Sequence, residues 1–88
     1  MASSAQATQR RHRVRRSFLA RWKLAAGCVD CGYAKHSVSL DFDHVIGKKE
    51  FGVGGPGIGR SWKRLLAEID KCVVRCSNCH RVATHGRA

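Results

Sequence analysis

The sequence predicts a small α+β domain whose two ends are tied together. Three observations predict it. Two cysteine pairs of matching spacing, Cys28/Cys31 and Cys76/Cys79, stand 44 residues apart. Between them Val38, Leu40 and Phe42 alternate with Ser39, Asp41 and Asp43, the period of a strand with one buried face. Two further stretches, Val14-Phe18-Trp22 and Trp62-Leu65-Leu66-Ile69, carry apolar residues at helical spacing. At 88 residues the chain is one domain with a small core, of the size that commonly needs a metal or cross-links for stability.

The elements follow in order. Residues 1–8 are small and polar and are expected to form a disordered tail. Residues 9–88 form the single folded domain, with a basic helix over 9–27 and the cysteine-tied core over 28–88. In the helix, Leu19, Ala25 and Ala26 flank the apolar row, arginines cover the other faces, and Gly27 is the stop signal. Gly32 allows a tight turn after the first cysteine pair. Gly47 to Gly59 reads as a flexible glycine-rich loop; it lacks the Gly-Lys-Ser/Thr ending of a phosphate cradle. Ser61 caps a second helix running to about Asp70, whose Trp62 is read as core packing rather than a base-stacking platform. Cys72 to Val74 is the second strand. A short helix carrying His80 follows the second cysteine pair and ends near Gly86.

The cysteines argue for metal rather than disulfides. The N-terminal stretch is polar and then basic, unlike an apolar export signal, so a reducing, cytoplasmic setting is expected. In that setting Cys28, Cys31, Cys76 and Cys79 read as the four thiolate ligands of a closed, structural Zn²⁺ site. The gap between the pairs far exceeds the ~15–20 residues of a simple zinc ribbon. The metal would therefore clamp the ends of an inserted unit. Cys72 is left over and reads as a small buried hydrophobe.

Charge narrows the partner. Seventeen Lys and Arg against six Asp and Glu give +11, still about +9 with a zinc tetrathiolate. No acidic residue precedes Asp30, and seven basic residues lie from Arg10 to Lys23. Such a field favours nucleic acid or an anionic surface. No apolar run is long enough for a membrane span. Arg10, Arg11, Arg13, Arg15, Arg16 and Arg81 are the expected phosphate contacts, giving salt-dependent and sequence-independent affinity.

Inside the clamp stands Leu40-Asp-Phe-Asp43-His44-Val45, and His80 follows Cys79 directly. A carboxylate and an imidazole can hold a divalent cation, and a second, neutral imidazole can take a proton from water. The order CxxC, LDFDHV, a Trp-led helix and KCVVRCSNCHR resembles the HNH endonucleases with a four-cysteine zinc frame, in particular their small stand-alone bacterial and phage type. The likeness runs from about Cys28 to His85.

That resemblance implies a ββα-metal (His-Me finger) core and metal-dependent hydrolysis of DNA phosphodiester bonds. It implies His44 as general base, and Asp43 and His80 as ligands of a catalytic Mg²⁺, or Mn²⁺ or Ni²⁺. DNA is the implied substrate, in a bacterial or phage-infected cell, and small nucleases of this likeness suggest a phage DNA-packaging terminase as working partner. One departure is plain: the family's middle asparagine, about five residues before the third cysteine, is here Lys71. Asn78 or a backbone carbonyl is then the expected orienting group for His44. His85, about 140° around the helix from His80, is a secondary candidate ligand or phosphate contact. Asp43 and His44, adjacent on a strand, can share a site only if the strand ends or bends there. The rival reading is a non-catalytic nucleic-acid-binding zinc module, which explains the cysteines and the charge but not the Asp-His pair with His80. A redox CxxC protein is a third class.

Overall fold

The computed structural model describes residues 4–87. Among them are three α-helices and one two-stranded antiparallel sheet, in the order α1 (Ser4–Ala26), β1 (Leu40–His44), α2 (Trp62–Ile69), β2 (Cys72–Cys76) and α3 (Ser77–Arg87). The α+β expectation holds. No helix of the described residues is long and apolar enough to cross a membrane.

The first helix is longer than its apolar pattern predicts. It begins at Ser4, so residues 4–8, expected to be disordered, are helical; residues 1–3 of that expected tail lie outside the described residues. The small and polar residues there carry no helix-breaking Gly or Pro. Only Leu19 of α1 is buried, while Val14, Phe18 and Trp22 stay partly exposed. The stop is where the sequence puts it. Gly27 adopts φ +69°, a left-handed conformation that favours glycine, and its N–H bonds the Lys23 carbonyl.

The sheet pairs Leu40 with Cys76, Phe42 with Val74, and His44 with Cys72. Val38 does not join the strand: it lies in a short 3₁₀ turn, Ser37–Ser39, and is exposed. The polar face of β1 is divided: Asp43 is as buried as the apolar residues, whereas Asp41 stays partly exposed. The second strand reaches two residues further than expected, to Cys76, and α3 starts at once, so Cys79 sits on the first turn of a helix.

Two apolar clusters meet at Phe42. One contains Cys28, Leu40, Val74 and Cys76. The other joins Leu19, Leu65 and Ile69 to Phe51, Val53 and Ile58, with half-buried Cys72 against it. The glycine-rich segment is therefore not merely a flexible loop. Its three apolar residues supply half of the larger cluster, and a 3₁₀ turn (Pro56–Gly59) folds them inward. Gly57 makes this fold-back possible. Its N–H bonds the Gly52 carbonyl at 2.8 Å, and a Cβ there would lie 2.6 Å from that oxygen and 2.9 Å from the Phe51 ring. Gly57→Ala is expected to cost about 1–3 kcal/mol by overpacking, seen as a lower denaturant midpoint at unchanged slope.

The second helix starts as expected, with Ser61 Oγ accepting from the Arg64 N–H at 3.3 Å. Its apolar row is split. Leu65 and Ile69 are buried, whereas Trp62 and Leu66 are partly exposed rather than core. Trp62 instead meets Phe18 edge-on at 5.1 Å and carries the Arg15 guanidinium at 4.8 Å.

Candidate functional site

The four predicted cysteines converge. Cys28 follows α1, Cys76 ends β2 and Cys79 opens α3, and the ligand sulfurs of Cys28, Cys31, Cys76 and Cys79 lie within 4.8 Å of one another. Four thiols so close, two of them buried, could hold a metal such as zinc. The electrostatics are those of a ligand cluster. Burial raises the Cys28 thiol, but backbone N–H groups around it, Cys76 first, outweigh that and draw it down to about 6. Cys79, hydrogen-bonded to Cys76 and Cys28, is pushed up to about 12. Cys72 stands apart, pushed up to about 11 by burial, as expected of a packing residue.

The second constellation separates by strand face. The sheet stays regular through the His44–Cys72 pair, so Asp43 and His44 point to opposite sides. Asp43, 3% exposed, points towards α3. Its Oδ2 accepts from Arg75 Nη1 at 2.7 Å and its Oδ1 from Arg87 Nη2 at 3.0 Å. Burial alone would raise this carboxyl, but the two guanidiniums hold it below its ordinary value. His80 reaches the same carboxylate, Nε2 to Oδ1 at 3.4 Å, while its Nδ1 lies 3.0 Å from Asp41 Oδ2. Asp41, unremarked in the sequence, is thus a second carboxylate on His80.

His44 and His80 nevertheless face one cleft. It is lined by both histidines and Asp41, by Lys23 and Lys49, and by Gly52 to Gly54 of the folded-back segment. Lys23 is partly desolvated there, which lowers its ammonium from its ordinary value.

Behind His44 stands a residue that sequence reasoning missed. Glu68 of α2 is 2% exposed, and its Oε2 lies 2.9 Å from His44 Nε2. The same oxygen accepts the Glu50 N–H at 3.0 Å, and Oε1 accepts from Lys71 Nζ at 2.8 Å. The Lys71 hydrogen bond is the largest influence on this carboxyl and, against the effect of burial, takes it down to about 2. The expected orienting groups are therefore corrected. Asn78 lines hollows with Tyr33 and Asp30 on the cysteine side, and the group on His44 Nε2 is a side-chain carboxylate rather than a backbone carbonyl. Lys71 also acts through its backbone. Its carbonyl accepts from the Val45 and Ile46 N–H groups at 2.8 and 3.1 Å, and its Nζ donates to the Lys48 carbonyl at 2.8 Å. It pins the turn that follows His44.

The remaining predicted contacts divide. Arg10, Arg11, Arg13 and Arg16 are exposed along α1, and Arg81 is exposed beside His80. Arg15 is not free for phosphate: it donates to the Ile58 carbonyl at 3.0 Å and to the Arg60 carbonyl, and stacks on Trp62. Its role is to fasten α1 to the folded-back segment. His85 is exposed and does not line the cleft.

Against known proteins, no family model, no curated protein and no solved structure matches this chain.

Proposed function

We propose that this chain is a metal-dependent DNA endonuclease of the HNH kind, held together by a four-cysteine zinc centre. The observation that carries the reading is the cleft that His44 and His80 line together with Lys23 and Lys49. Two imidazoles, each backed by a carboxylate, beneath two ammonium groups suit a phosphodiester better than a neutral substrate. The antiparallel pairing of β1 with β2, and the direct passage of β2 into α3, support the ββα core that the sequence resemblance implies, with α2 inserted between the strands.

The residues fit a catalytic cation. Asp43 Oδ1 and His80 Nε2 are a hard oxygen and an imidazole nitrogen 3.4 Å apart, a donor pair suited to Mg²⁺, Mn²⁺ or Ni²⁺ with water completing the shell. Asp41, on His80 Nδ1, fixes the ring so that Nε2 offers its lone pair. When bound, the cation supplies positive charge to the developing phosphate oxygens. The chain supplies the rest. His44 takes the proton of the attacking water. Lys23 and Lys49 hold the phosphate in the cleft, and the α1 arginines lie along the flanking backbone.

Supercoiled plasmid incubated with the zinc-loaded protein and added Mg²⁺, Mn²⁺ or Ni²⁺ is expected to be nicked or linearised, and EDTA to stop this. His44→Ala is expected to lower the rate by about 10²–10⁴-fold while DNA binding and zinc content persist. Binding without cutting in every metal would favour the non-catalytic zinc module instead.

A further inference from the structure

We propose that Glu68 is the positioning residue for His44: a buried carboxylate that holds the ring in its Nε2–H form and leaves Nδ1 free to accept a proton. For what that nitrogen does, the proposal rests on the nuclease reading; for the state of the ring, it does not.

The argument starts from the cost of burying a charge. An ionised carboxylate removed from water needs donors on both oxygens. Glu68 has Lys71 Nζ on Oε1, and the Glu50 N–H and His44 Nε2 on Oε2. The first two are obligate donors. They keep the carboxyl ionised, and an ionised carboxylate only accepts. The contact with His44 at 2.9 Å is then a hydrogen bond only if Nε2 carries the hydrogen. A neutral ring protonated on Nε2 has its lone pair on Nδ1. The carboxylate also stabilises the imidazolium formed when Nδ1 takes up a proton, the part a buried acid plays behind the base of a hydrolytic triad.

The surroundings make this arrangement rigid. Glu68 lies on α2 one turn after Leu65, which is wholly buried, and beside Ile69 of the larger core cluster. Lys71 ties the same carboxylate to the Lys48 carbonyl, and the Glu50 N–H ties it to the start of the folded-back segment. The base, its carboxylate and one wall of the cleft thus move as one piece. A carboxylate needed only for stability could be satisfied by Lys71 and Glu50 alone and has no need of an imidazole on the cleft.

Two measurements on the whole zinc-loaded chain test this. Nitrogen-15 NMR of labelled histidine reads the tautomer of His44 directly, with His44→Ala assigning the signal. The wild type is expected in the Nε2–H form, and Glu68→Gln in a mixture. Plasmid cleavage by Glu68→Gln is expected to fall by at least about 10²-fold at unchanged DNA affinity, because a carboxylate behind a catalytic imidazole acts on the rate and not on binding. A wild-type ring in the Nδ1–H form overturns the proposal, and that result stands even if the Gln variant fails to fold. So does a Glu68→Gln protein that cuts at the wild-type rate, and in that case the nuclease reading survives. If the wild type cuts no DNA in any metal but shows an Nε2–H ring that Glu68→Gln releases, the nuclease reading fails and the hold of Glu68 on His44 stands.

Discussion

Stripping the metal from the four-cysteine centre is expected to unfold the protein cooperatively. The smaller apolar cluster is built on the ligands themselves, with Cys28 and Cys76 buried against Leu40 and Val74. A metal held by the four sulfurs would link the end of α1 to the junction of β2 and α3, with 44 residues between the two cysteine pairs. Binding energy for a structural Zn²⁺ is about 10–16 kcal/mol, which equals or exceeds the ~5–15 kcal/mol net stability of an ordinary domain. Removal by a strong chelator should therefore abolish the tertiary signal of Trp22 and Trp62, with one equivalent of zinc released. Cys76→Ser is expected to behave as the stripped protein does, and Cys72→Ser to keep its zinc. A chain that lost its metal and melted at the same temperature would show the sulfurs to be packing groups.

The sequence made the clamp legible because thiolate spacing is a local property that survives whatever lies between the pairs. Helix ends were legible for the same reason: Gly27 and Ser61 act on their own backbones. What the sequence hid was set by long-range packing. The segment from Gly47 to Gly59 reads as a loop by its glycines, yet Phe51, Val53 and Ile58 are spaced too irregularly to announce a strand or helix and still fill the core. Glu68 is the second such residue. Its signal was its position, three residues after Leu65 and one before Ile69, on the buried side of α2. A charge on an apolar stripe implies buried partners, and here they are Lys71, the Glu50 N–H and His44, the residue already singled out. Arg15 failed in the opposite sense. It was counted with its exposed neighbours, but of the five α1 arginines taken as phosphate contacts it turns to the Ile58 and Arg60 carbonyls.

Asp43→Asn is the second substitution with a large expected effect, and it separates the two metals. Asn keeps the size of the side chain and one acceptor oxygen for Arg75, so the sheet and the cysteine cluster next to it should persist with zinc at full occupancy. Cleavage should fall on the order of a hundredfold or more, because the hard anionic donor beside His80 Nε2 is gone. The two arginines sharpen the test. Arg87 Nη2 sits on Asp43 Oδ1 at 3.0 Å, the oxygen that also faces His80, and more distantly on Oδ2 at 3.3 Å, whereas Arg75 sits on Oδ2 alone and is braced by Asp30 at 2.7 Å. Arg87 is half exposed at the end of α3 and has the freer side chain. A divalent cation at Oδ1 therefore competes with Arg87 and not with Arg75. Arg87→Ala should tighten Mn²⁺ binding, measured by titration, and leave cleavage at saturating metal intact. Asp43→Asn should weaken both. If Arg87→Ala left Mn²⁺ affinity unchanged, Asp43 would be a structural acid locked to its arginines, and the cation would have to be sought at Asp41, on the other nitrogen of His80.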